Sequence, residues 1–241
     1  MGKTRKNILL ILLLATFAVS TVLLAYLYFF RDRNLSGEWT TELDFTKEAA
    51  ASAYVWLQEI EAVSVSLEEL ELSMQGLTVP VSLTLEQGAG AEGTFRCSVS
   101  QESYEACRRR AYEAMAAAFR ELLSERLRLA GYTGGTDPEA VEALAREAFG
   151  MSTEDYLTTC GPALLPTLEE LQAEYVGSGV CRISGGILTR QYETEAGSVM
   201  RREYYVRQGD RLILTGEVDE GDAGSFSATY PVLYILKDDS E

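Results

Sequence analysis

Residues 180–218 have the sequence VCRISGGILTRQYETEAGSVMRREYYVRQGDRLILTGEV, and this stretch decides the fold. Apolar and polar side chains alternate with a period of two in its strand-length segments, which is typical of half-buried β-strands. Glycine-containing pairs at 185–186, 196–197 and 209–210 separate the segments and favour tight turns. The pattern predicts an antiparallel meander that continues into a last strand over 231–237.

Four more strands are predicted in the first hundred residues of the chain. They lie around Trp39, at 69–74, at 79–86 and at 94–99, where apolar and polar residues again alternate. A short helix that begins at Thr46 follows the first of these strands, because its apolar residues recur at helical spacing.

The segment from about 102 to 175 is predicted to be helical, since it has few β-branched residues and abundant Ala, Glu, Arg and Leu. An apolar stripe marks a helix of about 27 residues that ends at Gly131. Asp137 precedes a proline and begins a second helix, and Ser152 begins a third. We therefore expect one α+β domain over 34–241, an antiparallel β-barrel or half-barrel with a mid-chain helical insertion, rather than two separate domains.

Residues 1–33 are predicted to form a cytoplasmic N-terminus and a transmembrane anchor. Ile8 to Phe30 is a run of 23 uncharged, mostly apolar residues, and as a helix it would be about 34 Å long, enough to cross a hydrocarbon core of about 30 Å. More basic residues precede this run than follow it, which favours a cytoplasmic N-terminus. A cleaved signal peptide is the alternative, but its apolar region would be shorter and would end at small residues. We expect a single-pass protein of the cell membrane with an extracytoplasmic C-terminal domain.

Charge and composition exclude several function classes. The chain has a net charge of −16 and no histidine. Phosphate recognition requires a basic patch, so the acidic balance argues against nucleic acid as a partner. Without histidine there is no Ser-His or Cys-His nucleophile pair and no histidine-ligated zinc or haem. We predict a protein that is not an enzyme and has no cofactor.

The four cysteines all lie in the predicted extracytoplasmic part, where disulfides can persist. Cys97 and Cys181 occupy core-facing strand positions, and Cys107 and Cys160 belong to predicted helices. The preferred pairing is therefore Cys97 with Cys181 and Cys107 with Cys160. Four buried free thiols are the alternative, because cysteine is often buried without being bonded.

Other residues have both a functional and a structural interpretation. Trp39 would either close the floor of a ligand cavity or anchor the core of the first strand. Asp219 and Asp222 are weak candidate ligands for Ca²⁺, with a polar hairpin loop as the alternative. Neighbouring carboxylates that either serve acid–base chemistry or form solvated faces are Glu68, Glu69, Glu71, Glu169 and Glu170.

Four short motifs carry a resemblance to a known group of proteins. They are Gly37-Glu38-Trp39, Gly93-Thr94-Phe95, Gly150-Met151-Ser152 and Tyr230-Pro231. With these motifs, residues 35–238 resemble uncharacterised membrane-anchored or secreted bacterial proteins with a lipocalin-like, calycin-type domain. The resemblance implies a β-barrel, often with an apolar interior able to hold a small ligand. It also implies a basic residue packed on the first-strand tryptophan, for which Lys237 and Arg211 are the candidates.

Two hypotheses for function follow from the sequence. The first is a non-enzymatic, membrane-anchored binding module that takes either a small apolar ligand or an envelope protein as its partner. A cavity of about 300 Å³ or more in the barrel would favour the small ligand, whereas a filled core would favour the protein or a purely structural role. The alternative is an envelope hydrolase with paired carboxylates or a bound divalent cation, which requires acids that converge in a cleft.

Overall fold

The computed structural model describes residues 16–22, 34–60, 65–88, 90–194, 197–218 and 230–237. Within these ranges the strands are β1 (Gly37–Asp44), β2 (Thr78–Gln87), β3 (Glu92–Val99), β4 (Gly177–Ser184), β5 (Ile187–Thr194), β6 (Gly197–Gln208), β7 (Arg211–Glu217) and β8 (Val232–Leu236). The helices are α1 (Thr46–Glu59), α2 (Leu67–Ser73), α3 (Gln101–Leu129), α4 (Pro138–Phe149), α5 (Thr153–Cys160) and α6 (Leu168–Tyr175). Residues 16–22 are also helical.

The strands form a closed antiparallel barrel in which each pairs with the next in sequence and β8 pairs with β1. Trp39 of β1 lies opposite Leu236 of β8, which closes the sheet. The last five strands follow the alternation of polar and apolar residues that predicted them. The prediction of an α+β fold with an antiparallel barrel is confirmed, and the sheet closes fully instead of ending as a half-barrel.

The strand predicted at 69–74 is wrong, because these residues belong to α2. Ser66 caps this helix: its hydroxyl accepts a hydrogen bond from the Glu69 backbone N–H at 3.2 Å, and the Glu69 carboxylate accepts one from the Ser66 N–H at 3.0 Å. Leu70 and Met74, four residues apart, are buried, whereas Leu72 is 72% exposed. This spacing is helical, and six alternating residues were too few to distinguish it from a strand. Three strands therefore precede the helical segment.

The described residues divide into two compact units. The barrel unit takes those within Met1–Thr41, Ser82–Cys97 and Gly177–Glu241, and the helical unit takes those within Glu42–Val81 and Ser98–Val176. Each unit has its own hydrophobic core.

The helical unit is built around α3, which has 29 residues where about 27 were predicted. Its buried stripe includes Cys107, Met115 and Phe119, which pack against apolar residues of the other helices. Asp137 begins α4 as predicted, since its carboxylate accepts a hydrogen bond from the Ala140 N–H at 3.0 Å. The helical insertion predicted for about 102–175 is confirmed as α3 to α6.

The predicted membrane span lies mostly outside the described residues. Of Ile8 to Phe30, the structure describes only residues 16–22, which are helical and exposed. A search of the described ranges finds no helix that is both long and apolar enough to cross a bilayer. The anchor therefore stays a prediction from sequence.

Candidate functional site

Charged side chains lie inside the barrel, and we call this group the buried ion cluster. It consists of Arg190 on β5, Arg201 and Glu203 on β6, Glu217 on β7, and Tyr230 just before β8. Arg190 and Glu203 are 3% and 1% exposed, respectively. Charged groups are almost never buried to this extent unless they are paired.

Glu203 holds two arginines together at the centre of the cluster. Arg190 and Arg201 occupy directly opposite positions on β5 and β6, so two positive charges lie side by side in the interior. The Nε of Arg190 donates to one carboxylate oxygen of Glu203 at 3.1 Å, and the Nε of Arg201 lies 3.2 Å from the other oxygen. Removing this carboxylate would leave the arginines facing each other without the anion between them.

A β-bulge brings the second carboxylate into the cluster. The register between β6 and β7 shifts so that Thr215 is an extra residue in β7. Because of this extra residue, Glu217 lies opposite Glu203 instead of one position out of step with it. The Nε of Arg201 lies 3.2 Å from an oxygen of each carboxylate and bridges them.

Tyr230 forms hydrogen bonds with two charged residues of the cluster. The Tyr230 hydroxyl accepts from Nη2 of Arg201 at 2.8 Å and donates to Glu203 at 2.8 Å. Burial, reinforced by the Glu203 carboxylate, raises the pKa of Tyr230 well above its usual value. Burial likewise raises the pKa of Tyr234 to about 12. Both hydroxyls therefore stay protonated at neutral pH, and that of Tyr230 acts as a hydrogen-bonding group.

The arginines of the cluster also keep their charge at neutral pH. Burial alone would lower the pKa of Arg190, but Glu203 and the surrounding tyrosine and cysteine side chains together outweigh burial and raise it well above the usual value. The Arg190 guanidinium also donates to Sγ of Cys97 at 3.4 Å and lies 5.9 Å from the centre of the Phe95 ring. Two arginines and two glutamates make the cluster electrically balanced.

The cluster contains the converging pair of acids that the hydrolase hypothesis requires. However, the Nε of Arg201 occupies the space between Glu203 and Glu217. Glycosidase carboxylates need that space for the sugar or for a water molecule. As arranged here, the groups form ion pairs with one another in a polar core.

Apolar side chains fill the barrel around the cluster. A side chain that lines a water-sized cavity keeps accessible surface, yet those described here are at most 9% exposed. They are Trp39, Leu83, Leu85, Phe95, Cys97, Cys181, Ile183, Leu188, Tyr192, Leu212, Leu214 and Tyr234. Five half-buried apolar residues pack against them, namely Val199, Tyr205, Tyr230, Val232 and Leu236. The part of the interior that the buried residues line is a packed core.

Trp39 lies fully buried in this core, and its indole N–H donates to the Leu35 carbonyl at 2.8 Å. The guanidinium of Arg207 lies 5.3 Å from the centre of the Trp39 ring. The expectation that Lys237 or Arg211 packs on this ring is therefore wrong. Both are exposed: Arg211 faces outward on β7, and Lys237 lies past the end of β8 with its Nζ 3.3 Å from Glu38.

The predicted bridge between Cys97 and Cys181 is not formed, and both thiols are free and buried. Cys97 lies opposite Gly177, whereas Cys181 lies opposite Gly93. The two cysteines are thus offset by four residues along neighbouring strands, about 13 Å at 3.3 Å per residue. A disulfide requires Cα atoms within about 7 Å.

The predicted bridge between Cys107 and Cys160 is also not formed. Both thiols are free, and Cys107 is buried in the helical core while Cys160 is exposed at the end of α5. Burial raises the pKa of the Cys107 thiol. A disulfide would need the two sulfur atoms in one shared environment.

The remaining candidates have other outcomes. Asp219 and Asp222, the weak Ca²⁺ candidates, lie outside the described residues. Among the residues that are described, no group of three or more Cys, Asp or Glu side chains is arranged to hold a metal ion. Glu69 and Glu170 serve as helix caps, and hydrogen bonds from Ser66 and Thr167 lower their pKa values.

Sequence reasoning missed the buried ion cluster, although one feature pointed to it. Arg190 has the same parity as Leu188 and Tyr192 along β5, so alternation places it on the inner face. Arg201 and Glu203 share parity in the same way on β6. Three charges on inward-facing positions of adjacent strands would have predicted a buried ion pair.

Outside the barrel core, each unit has a surface groove with exposed apolar side chains. The groove on the outer wall of β3 to β6 has a volume of about 700 Å³, and Val180, Met200 and Arg202 line it. The helical unit has a groove of about 420 Å³ where Val55 and Trp56 line one side. No protein-family model, no curated protein and no solved structure matches the chain.

Proposed function

We propose that this chain is a non-enzymatic binding module, held on the outer side of the cell membrane by one N-terminal span, and that its partner is an envelope protein rather than a small apolar ligand. The observation that carries the choice of partner is the filled barrel interior. The side chains of its core cluster are at most 9% exposed, and its charges are balanced among themselves. An incoming ligand would have to displace packed side chains and separate buried ion pairs.

Contact with a protein is supported by the outer surface of the barrel. Val180 and Met200 are 55% and 57% exposed, and they lie in the same groove as Arg182 and Arg202. An exposed apolar centre with a charged rim is typical of protein interfaces. The outer wall of the barrel therefore has solvent-exposed apolar surface, which the buried core cluster does not have.

The closed barrel supports the lipocalin-like resemblance as far as the fold is concerned. The occupied interior does not support the small ligand that the resemblance implied. The resemblance implied a β-barrel and a basic residue on the first-strand tryptophan, and the chain has a closed eight-stranded barrel with Arg207, instead of Lys237 or Arg211, on Trp39. The implied ligand would have to bind where the described interior is occupied by side chains. We therefore propose that this chain uses the scaffold for surface contacts.

Native mass spectrometry of the full chain, extracted in detergent from the envelope of its own host, tests the proposal. We expect a complex with one envelope protein at fixed stoichiometry, and we expect Met200→Glu on the outer wall to abolish it. Ser98→Glu, at an exposed position of β3, is the control and should leave the complex intact. A small apolar molecule retained at one copy per chain would contradict the choice of partner.

The hydrolase alternative is tested with the same material. Glu217→Gln removes the less buried of the two converging carboxylates, which is 18% exposed. If the protein hydrolyses an envelope substrate and this substitution abolishes turnover without unfolding the chain, the non-enzymatic proposal is wrong.

A further inference from the structure

The outer face of β6, β7 and β8 carries a contiguous apolar surface, which we call the outer patch. It consists of Tyr204, Val206, Ile213, Leu233 and Ile235. Val206 lies opposite Ile213, which lies opposite Leu233, so one apolar row crosses three strands. Ile213 is half-buried and the other four are between 41% and 47% exposed. Single exposed apolar residues are common, but a continuous row marks a surface that contacts something apolar.

Basic residues border this patch at one end of the barrel. Arg211 on β7 lies directly opposite Ile235 on β8, and Lys237 is two residues after Ile235 in the sequence. Arg207, which follows Val206, lies on the other face of β6, where it packs on Trp39, and is not part of this border. An apolar surface with cationic groups at its edge matches the boundary between acyl chains and anionic headgroups.

The chain enters the barrel at this same end. Arg207 donates hydrogen bonds to the backbone carbonyls of Asn34 and Gly209, which ties the residues before β1 to the turn between β6 and β7. Thr40 of β1 lies opposite Ile235 of β8. The outer patch is thus on the wall next to the strand through which the chain enters.

The connection to the predicted span is short. The span ends at Phe30 and β1 begins at Gly37, with six residues between them. Even a fully extended chain would cover no more than about 25 Å over that distance. A barrel tethered this closely has part of its surface at the bilayer.

The barrel unit is the less acidic of the two units. Counted over the full sequence, the barrel unit from residue 34 onward has 14 acidic and eight basic side chains, whereas the helical unit has 22 acidic and eight basic ones. Bacterial and other natural bilayers carry anionic lipids, which repel acidic protein surfaces. Such a bilayer therefore repels the barrel unit less than it repels the helical unit.

We propose that the outer patch rests on the bilayer that holds the anchor, with Val206, Leu233 and Ile235 at the level of the acyl–headgroup boundary and Arg211 among the phosphates. This inference rests on the membrane anchoring in the proposed function. It adds that lipid, and not a second copy of the chain or the envelope partner, covers this wall of the barrel. The groove on β3 to β6 remains accessible for the partner.

A quenching experiment on the full chain tests this contact. The chain carries Cys160→Ser, which removes the exposed thiol, and Leu233→Cys labelled with an environment-sensitive fluorophore. The chain is reconstituted into vesicles of phosphatidylcholine and phosphatidylglycerol that contain a spin-labelled lipid. Val180→Cys is the matched control, because it is an exposed apolar position on β4, half-way around the eight-stranded barrel from β8. We expect quenching at position 233 to exceed that at 180 at least about threefold, as for a group within reach of the lipid boundary.

The possible results distinguish lipid contact of the outer patch from membrane anchoring of the chain. If the chain does not float with the vesicles, the membrane anchoring of the proposed function fails. If it floats and the two positions are quenched equally, the anchor stands and the lipid contact is wrong. A label at 233 that is shielded from water but not quenched by lipid would mean that another protein surface covers the patch, which also overturns the inference. Arg211→Glu should lower the quenching at 233 in these vesicles at least about twofold, because it reverses a charge at the headgroups.

Discussion

The barrel unit and the helical unit bury different chemistry. The barrel encloses the buried ion cluster, in which Arg190, Arg201 and Glu203 are at most 8% exposed. Among the described residues of the helical unit, Thr153 is the buried polar residue, and its hydroxyl donates to Glu142 at 2.6 Å. Strand alternation can direct long charged side chains inward from neighbouring strands so that they pair, whereas the amphipathic helices here keep their charges outside. The barrel therefore combines ion pairing with apolar packing, whereas the helices depend on apolar packing.

Glu203→Gln should have the largest effect, because it removes the carboxylate that separates two buried arginines. We expect a loss of about 3–5 kcal/mol in the free energy of unfolding of the barrel unit. Denaturant unfolding followed by Trp39 fluorescence in a Trp56→Phe chain measures it. Glu193→Gln, an exposed carboxylate on β5, should change stability by less than about 0.5 kcal/mol. A loss below about 1 kcal/mol for Glu203→Gln would show that the cluster does not stabilise the barrel.

The matching test in the helical unit is Leu157→Ala, at a fully buried position of α5. Loss of the side chain leaves a cavity, and we expect about 3 kcal/mol of destabilisation. Hydrogen exchange of the helices measures it. Leu72→Ala, at a position 72% exposed on α2, should be close to neutral. Equal effects of the two substitutions would contradict the assignment of the helical core.

The pair of Arg207 and Trp39 offers a smaller test within the barrel. Arg207→Ala removes the cation over the ring and hydrogen bonds to two backbone carbonyls, and we expect a loss of about 1–2 kcal/mol. Near-ultraviolet circular dichroism should also show a changed signal from the tryptophan. Arg182→Ala, at an exposed position of β4, should alter neither property. An unchanged spectrum in Arg207→Ala would rule out the contact.

The smallest expected effect concerns acid stability of the helical unit. Partial burial alone would raise the pKa of Glu142, but hydrogen bonds from Thr153 and Arg146 and the charge of Arg120 outweigh burial and lower it. Because the folded pKa lies below the unfolded value of about 4.3, the carboxylate stabilises the fold above that pH, and the contribution is lost as pH falls through the folded pKa. Since the group is partly exposed to solvent, we expect no more than about 1 kcal/mol.

Unfolding of the wild type and of Glu142→Gln between neutral pH and acid measures this contribution. The stability difference should be present at neutral pH and disappear in acid. A difference that is independent of pH would contradict the role of the ionised carboxylate.

Local sequence patterns predicted the barrel because each strand from β4 to β8 alternates clearly and is separated by turn residues. The same rule failed at 69–74, since a capped two-turn helix with Leu70 and Met74 inward also shows short alternation. Cap residues such as Asp137 were recognisable because the hydrogen bond involved is local. Features determined within a few residues could therefore be predicted.

Features that depend on pairing between strands could not be predicted in this way. Parity placed Cys97 and Cys181 on the inner face, but only the register shows that they are four residues apart. The bulge at Thr215 that orients Glu217 toward Glu203 has no marker in the local alternation. The choice of Arg207 over Arg211 and Lys237 as the cation on Trp39 depends on sheet closure in the same way.

In the proposed function, the barrel interior is occupied by its own side chains and the partner binds at the outer surface. Trp39 reports on this interior directly when Trp56 is replaced by phenylalanine in the full chain, because the sequence contains two tryptophans. The measurement is a titration with a brominated fatty acid, whose bromine atoms quench a nearby indole on contact. We expect no saturable quenching of Trp39. Saturable quenching at one fatty acid per chain would place an apolar ligand inside the barrel. This result would contradict the proposal that the interior is filled by side chains.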